Sequence, residues 1–294
     1  AYRLSYHSGY INGFRQNIFR NSFDSNKRDE KLLRAKLRFA PSPRFNLLGT
    51  FFQTVLDNGY DAWAPDNNTF LHTYSNDLGK DSQTTDAFSL RAKMTLAERI
   101  TLTSVTAYSE TDLVHSYDGD WANEEFWGAE PFNFNPLTEG WKYEFFDRND
   151  RHRATVTQEF RVVSGGWVAG VYGKAMNEKN DATGYLYGGD ATEMTSDYDF
   201  SVTAGYGQFQ LPIGDRMVVK GNIRVETNAI RYDGTAGGYD DRYQFVTLGP
   251  VNYEIDHILV GGKGAVQFLL TPTSRLFATL ARGYKAGGVN QHPY

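Results

Sequence analysis

Between Arg151 and Asn177 apolar and polar residues alternate. Val156, Gln158, Phe160 and Val162 fall on one side of an extended strand, and Thr155, Thr157, Glu159 and Arg161 fall on the other. A two-residue period assigns the mostly apolar set to one sheet face and the polar set to the opposite one. Ser164-Gly165-Gly166 supplies a short reversal, because glycine accepts the positive φ of tight hairpin turns. The return arm runs from Trp167 through Val168, Ala169, Gly170, Val171 and Tyr172. Each arm is about as long as a membrane-spanning strand, roughly 9–11 residues, with an aromatic where a bilayer interface would lie.

The unit recurs along the chain and predicts about eleven strands. Strand one covers Ala1 to about Tyr10, and a polar stretch to Lys31 follows. Leu32–Ala40 and Phe45–Leu56 flank the turn Pro41-Ser42-Pro43-Arg44, where proline fixes φ and cannot donate to a ladder. After a polar segment, Asp57–Thr84, Phe88, Leu90, Ala92, Met94 and Leu96 alternate with Ser89, Arg91, Lys93 and Thr95. Ala97-Glu98-Arg99 turns into a strand from Ile100 to about Tyr117. The longest connection, Asp118–Asp150, leads into the Arg151 hairpin, strands six and seven. Strands eight to eleven are expected at Phe200–Leu211, Met217–Tyr232, Ile255–Leu270 and Arg275 to about Tyr284, with a glycine-rich loop at Asp233–Glu254.

Tight turns near 42, 98, 165, 213 and 272 alternate with loops of about twenty residues or more. The expected fold is therefore all-β: one antiparallel up-and-down meander over 1–294, with turns at one end and loops at the other, as in an outer-membrane barrel. Helices through Leu32–Arg38 and Ser89–Glu98 are the competing reading, since Phe88, Ala92, Leu96 and Ile100 are four apart. A soluble sandwich is the other, but its strands average about five or six residues.

Composition narrows the partners. A net charge of −5 gives no support for nucleic-acid binding. With Tyr 19, Phe 20 and Trp 5, the aromatic share of 15% suits a girdled β-protein. Cysteine is absent, so disulfides and thiolate metal sites are excluded. No apolar run approaches the roughly 18 residues of a membrane helix, which says nothing against barrel strands. The opening AYRLSYHSGY alternates already and has no signal peptide, so the chain reads as a fragment.

An Arg or Lys at the bilayer midplane costs about 2–4 kcal/mol. Arg34, Lys36, Arg91, Glu159, Arg161 and Arg224 are therefore expected to face a wet lumen. Leu33, Leu37, Phe88, Leu90, Phe160, Val162, Ile223 and Val225 are expected to face outer-membrane lipid. Eleven strands leave first and last parallel, so the piece is not expected to close alone.

Arg275–Asn290, RLFATLARGYKAGGVN, resembles the barrel signature of TonB-dependent outer-membrane receptors. Thr157-Gln158-Glu159-Phe160-Arg161-Val162 with Trp167-Val168-Ala169-Gly170-Val171 resembles that family's mid-barrel hairpin, as does Leu33–Phe39 running into its proline turn. The resemblance implies a 22-stranded barrel filled by an N-terminal plug. About half of the barrel would lie in this chain, and the plug, the segment that engages TonB and the last strands would lie outside it.

No catalytic set or metal site is visible, and no cofactor is expected. The six histidines (His7, His72, His115, His152, His257, His292) form no ligand-spaced pair. Asp233-Gly234 with Asp240-Asp241 reads as an ordinary glycine-rich loop, and Gly261-Gly262-Lys263-Gly264 as a strand bend without the remainder of a phosphate-loop motif. The one candidate recognition element is Asp118–Asp150, which gathers Trp121, Phe126, Trp127, Phe132, Phe134 and Trp141 with Tyr143. Rigid exposed rings bury area at little entropic loss, so Trp121 and Trp127 are candidate ligand platforms; a self-packed lid is the alternative. Nine carboxylates against Lys142 and Arg148 favour a neutral or cationic small molecule there.

The function expected is active-transport reception of a scarce ligand (a siderophore, haem, a vitamin or an oligosaccharide) with TonB as energy-coupling partner. A passive porin and a barrel enzyme such as a phospholipase are the other classes weighed.

Overall fold

The computed structural model describes residues 1–186, 189–240 and 244–289. Its strands are β1 (Tyr2–Ile11), β2 (Gln16–Asn17), β3 (Arg28–Ser42), β4 (Phe45–Tyr60), β5 (His72–Thr73), β6 (Gly79–Ala97) and β7 (Ile100–Asp118). Then come β8 (Phe146–Val163), β9 (Trp167–Leu186), β10 (Gly189–Ile213), β11 (Met217–Asp240), β12 (Gln244–Thr271) and β13 (Ser274–Arg282). Two short helices, α1 (Glu124–Gly128) and α2 (Pro136–Glu139), interrupt the β7–β8 connection. Eleven strands form one sheet in the order β1-β3-β4-β6-β7-β8-β9-β10-β11-β12-β13, and every neighbouring pair is antiparallel. Leu32–Arg38 and Ser89–Ala97 are strand, so the helical alternative fails.

The registers sort side chains by face. One rung runs Arg38–Leu48–Arg91–Val105–Glu159–Tyr172–Ala204–Glu226–Leu259. The neighbouring rung, on the opposite face, runs Ser104–Phe160–Val171–Gly205–Val225–Val260. Arg34, Lys36, Arg91, Glu159, Arg161 and Arg224 therefore share one face, and Leu33, Leu37, Phe88, Leu90, Phe160, Val162, Ile223 and Val225 share the other, as the alternation predicts.

The sheet curls toward the charged face. Tyr206 on β10 donates to Glu159 on β8 across the intervening β9. The Arg224 guanidinium on β11 lies 5.6 Å from the Tyr172 ring on β9, reaching over β10. Glu178, Asn180, Ser196, Val202, Ala204, Asn228 and Ile230, all on this side, are buried. It is the inner wall.

The outer face changes character along each strand. Moving away from the tight turns, β8 presents Val162, Phe160, Gln158, Val156 and Ala154, then His152 and Asp150. β11 presents Ile223, Val225, Thr227 and Ala229, then Arg231 and Asp233; β12 presents Val260 and Ile258, then Asp256 and Glu254. An exposed apolar belt, including Phe88, Phe160, Val171 and Ile223, thus gives way to charge.

Two expectations need correction. Among the described residues, the twenty-residue loops expected before Phe200 and at Asp233–Glu254 are strand instead. β9 and β10 stay paired out to Leu186 and Gly189, and β11 and β12 out to Asp240 and Gln244. Beyond the belt the outer row turns polar and the inner row mixes Ala182, Met194 and Tyr232 with polar residues, so the two-residue period fades although the ladder continues. Asp241, Asn290 and His292 lie outside the described residues.

Candidate ligand-binding mouth

Three long connections, 12–27, 61–78 and 119–145, fold together at the end opposite the tight turns. The first two meet through the parallel pair β2–β5. Fully buried Asn17 donates to Asp61 at 3.0 Å and to the Ser75 carbonyl at 2.9 Å. Buried Asp61 also accepts from Thr73 at 2.6 Å and from Ser75 at 3.1 Å. The third connection docks on the second: Asn123 donates to the Tyr74 carbonyl at 2.7 Å, and the Asn76 amide to the Ala122 carbonyl at 3.0 Å.

Two buried carboxylates shape the third connection. Asp118 accepts from the backbone amides of Trp121 (2.8 Å), Asp120 (3.2 Å) and Asp77 (3.3 Å). Asp120 accepts from the amides of Ala122 and Phe145, both at 3.0 Å, and from the Trp127 indole at 3.1 Å. Burial, reinforced by the neighbouring Asp120 charge, raises Asp118 from 3.8 to about 8 despite its amide donors. Burial likewise raises Asp120, Glu144 and Asp77. Asn123 caps α1 by accepting from Phe126 at 3.0 Å, and Asn135 caps α2 by accepting from Leu137 at 3.0 Å.

Five of the six rings singled out in the sequence join one cluster. Trp127 packs on Tyr143 (centroids 4.4 Å), Phe132 (4.8 Å) and Phe126 (5.4 Å). Phe126 reaches Tyr74 at 4.7 Å, and Phe134 meets Trp141 at 4.8 Å. These contacts hold the connection together. Trp121 stands apart from them. It stacks on Trp63 of the second connection, 5.8 Å between centroids at 28°, and the two rings are 40% and 57% exposed. Trp121 holds a left-handed φ of 62°, uncommon for a large side chain. In that conformation its backbone N–H donates to the Asp118 carboxylate.

A cavity of about 510 Å³ opens beside the cluster. Trp127, Phe134 and Tyr143 line it together with Glu124, Glu125, Lys142 and Glu144. Sequence reading missed Trp63, Tyr74 and Asp61, because they lie in the shorter Asp57–Thr84 segment, where no density of rings marks them. Among the described residues no group of three His, Asp or Glu side chains is placed to hold a metal.

This architecture defines a class: the meander of tight turns and wide loops, with an apolar outside and a charged inside, is the fold of the TonB-dependent receptor barrel. The solved structures that carry it include the following three. The ferric yersiniabactin uptake receptor FyuA of Yersinia pestis superposes with a TM-score of 0.79 at 16% identity, over 99% of this chain and 43% of that one. The ferric-catecholate import receptor Fiu of E. coli K12, in its closed form, gives 0.64 at 15%, over 95% and 46%. The siderophore receptor PiuA of Acinetobacter baumannii gives 0.64 at 10%, over 95% and 44%. The chain thus spans less than half the length of each. No protein-family profile and no curated protein matches the sequence.

Proposed function

We propose that the chain is part of an outer-membrane receptor that captures a small ligand at the folded mouth for uptake energised through TonB. The observation that carries this reading is the combination of an exposed apolar belt around the sheet with a mouth built from three interlocked connections. The belt suits lipid, and the charged inner wall suits a wet lumen. The Trp63–Trp121 pair is the platform for a flat or sugar-like ring. The carboxylates around the neighbouring cavity favour a neutral or weakly charged ligand over a polyanion. The comparison structures are named for ferric yersiniabactin and ferric-catecholate uptake, so a ferric chelate joins a neutral oligosaccharide as the leading ligand class. The proposal assigns the chain no catalytic step.

The test is the double variant Trp63→Ala/Trp121→Ala in the whole receptor. Ring stacking contributes about 0.5–1.5 kcal/mol beyond buried area, so ligand affinity should fall at least several-fold with heat stability unchanged. Unchanged affinity would refute the platform. Dissipating the inner-membrane proton gradient should abolish accumulation but leave binding intact; continued accumulation would instead identify a passive channel.

A further inference from the structure

We propose that the mouth cavity holds a primary or secondary ammonium group, so that the molecule captured there is an amine. This deepens, and rests on, the reading of the mouth as a capture site. The cavity of about 510 Å³ lies where the three connections meet: Phe19 of the first, Asn76 of the second and residues between 120 and 144 of the third line it. Among the described residues no strand of the sheet contributes, so the cavity is separate from the inner wall. Its volume falls in the range of small-molecule sites, roughly 300–1,000 Å³.

The charge of the lining is one-sided. Asp120, Glu124, Glu125 and Glu144 line the cavity against a single cation, Lys142. These groups act on one another. Burial raises the Glu144 carboxyl; Lys142 opposes the shift, and the charges of Asp77, Asp120 and Glu124 add to it. A second cation placed among them relieves that repulsion.

Trp127, Phe134 and Tyr143 supply the rest of the wall. The negative face of an aromatic ring attracts a cation within about 6 Å of its centroid. An ammonium bearing N–H groups also donates to carboxylate oxygens in short, charge-assisted bonds. A quaternary ammonium gains only the ring term, and a neutral hydroxyl only a weaker hydrogen bond. An anion gains neither. The combination of rings and carboxylates therefore selects an amine that still carries hydrogen.

The experiment is calorimetric titration of the whole, detergent-purified protein with putrescine, with butanediol of the same chain length as its neutral match, and with tetramethylammonium. Putrescine should bind saturably and more tightly than either of the others. Glu124→Gln/Glu144→Gln should weaken that binding by roughly tenfold or more, since bonds between charged partners are the strong ones. Glu130→Gln/Glu139→Gln makes the same charge change on the same connection outside the cavity and should leave it unaltered, whereas Lys142→Gln should tighten it. Circular dichroism and heat stability matching the parent establish that the variants fold; if the first pair does not, Glu144→Gln alone must show the weakening. Absence of saturable putrescine binding, equal or tighter binding of butanediol or tetramethylammonium, an equal loss in the two pairs, or unchanged or looser binding in Lys142→Gln would overturn the proposal. Binding to purified protein requires no transport, so failure here leaves the receptor reading to be decided by the proton-gradient experiment.

Discussion

The Trp127 indole donates to the buried Asp120 carboxylate at 3.1 Å while its ring packs on Tyr143 at 4.4 Å. One side chain thus joins the two ends of the third connection, because Asp120 also holds the Phe145 amide. Trp127 is therefore a structural hinge-pin of the mouth, whatever it contributes to a ligand. Trp127→Ala removes three ring contacts and the indole hydrogen bond to Asp120, whose Oδ1 keeps only the Ala122 amide. The expected loss is about 3–5 kcal/mol of local stability, seen as protease cleavage within 119–145 while the sheet stays intact. Cleavage no faster than in the parent would remove that role.

The mouth should loosen as pH rises. Asp118 titrates near 8 in the fold against an ordinary 3.8, so the folded loop favours the protonated acid. Its stability contribution is full below about pH 4 and is lost progressively as pH rises toward 8. Asp120, raised in the same direction, adds to the trend. Amide hydrogen exchange in 119–145 should therefore show faster opening at pH 8 than at pH 5, beyond the intrinsic pH effect on exchange. Asp118→Asn, neutral at every pH, should flatten the difference. An unaltered pH response in that variant would assign it to other groups.

Gly79 closes the β4–β6 ladder opposite Tyr60. A methyl there would collide with the backbone carbonyls of Tyr60 and Ser116. Gly79→Ala should destabilise by about 1–3 kcal/mol, since backbone on both sides must shift. Gly173→Ala is the matched control, with open space around the added carbon. It should be neutral or gain about 0.5–1 kcal/mol from the lost flexibility of glycine. Equal melting shifts for the two would contradict the crowding at Gly79.

Much of the sheet was legible in the alternation. The tight turns at Ser164-Gly165-Gly166 and at 272–273 fall where glycine and proline chemistry puts them, and the two face sets survive intact through the ten registers of the sheet. What the sequence concealed was the height of the hairpins. The strand limits read at Phe200, Tyr232 and Ile255 mark where the outer row turns from apolar to charged. Asn177 to Thr183 is polar on both faces except for Ala182, so no period betrays the strand that is there. The mouth was legible as a density of rings, but its division into packing rings and exposed ones was not. That division depends on partners far along the chain: Trp63 for Trp121, and Tyr74 for Phe126.

Single-cysteine labelling tests the central claim, that one face of this sheet meets lipid and the other meets water. These 294 residues hold no native cysteine, so within them each label reports the one introduced position. In the whole protein in intact outer membranes, cysteines at Leu37, Leu90, Phe160 and Ile223 should resist a water-soluble thiol reagent. Those at His152 and Arg231, farther along the same outer face, should react, as should those at Lys36 and Arg91 on the inner wall once denaturant opens the lumen. Ready labelling of the first set with protection of His152 and Arg231 would place the belt in water and contradict the account.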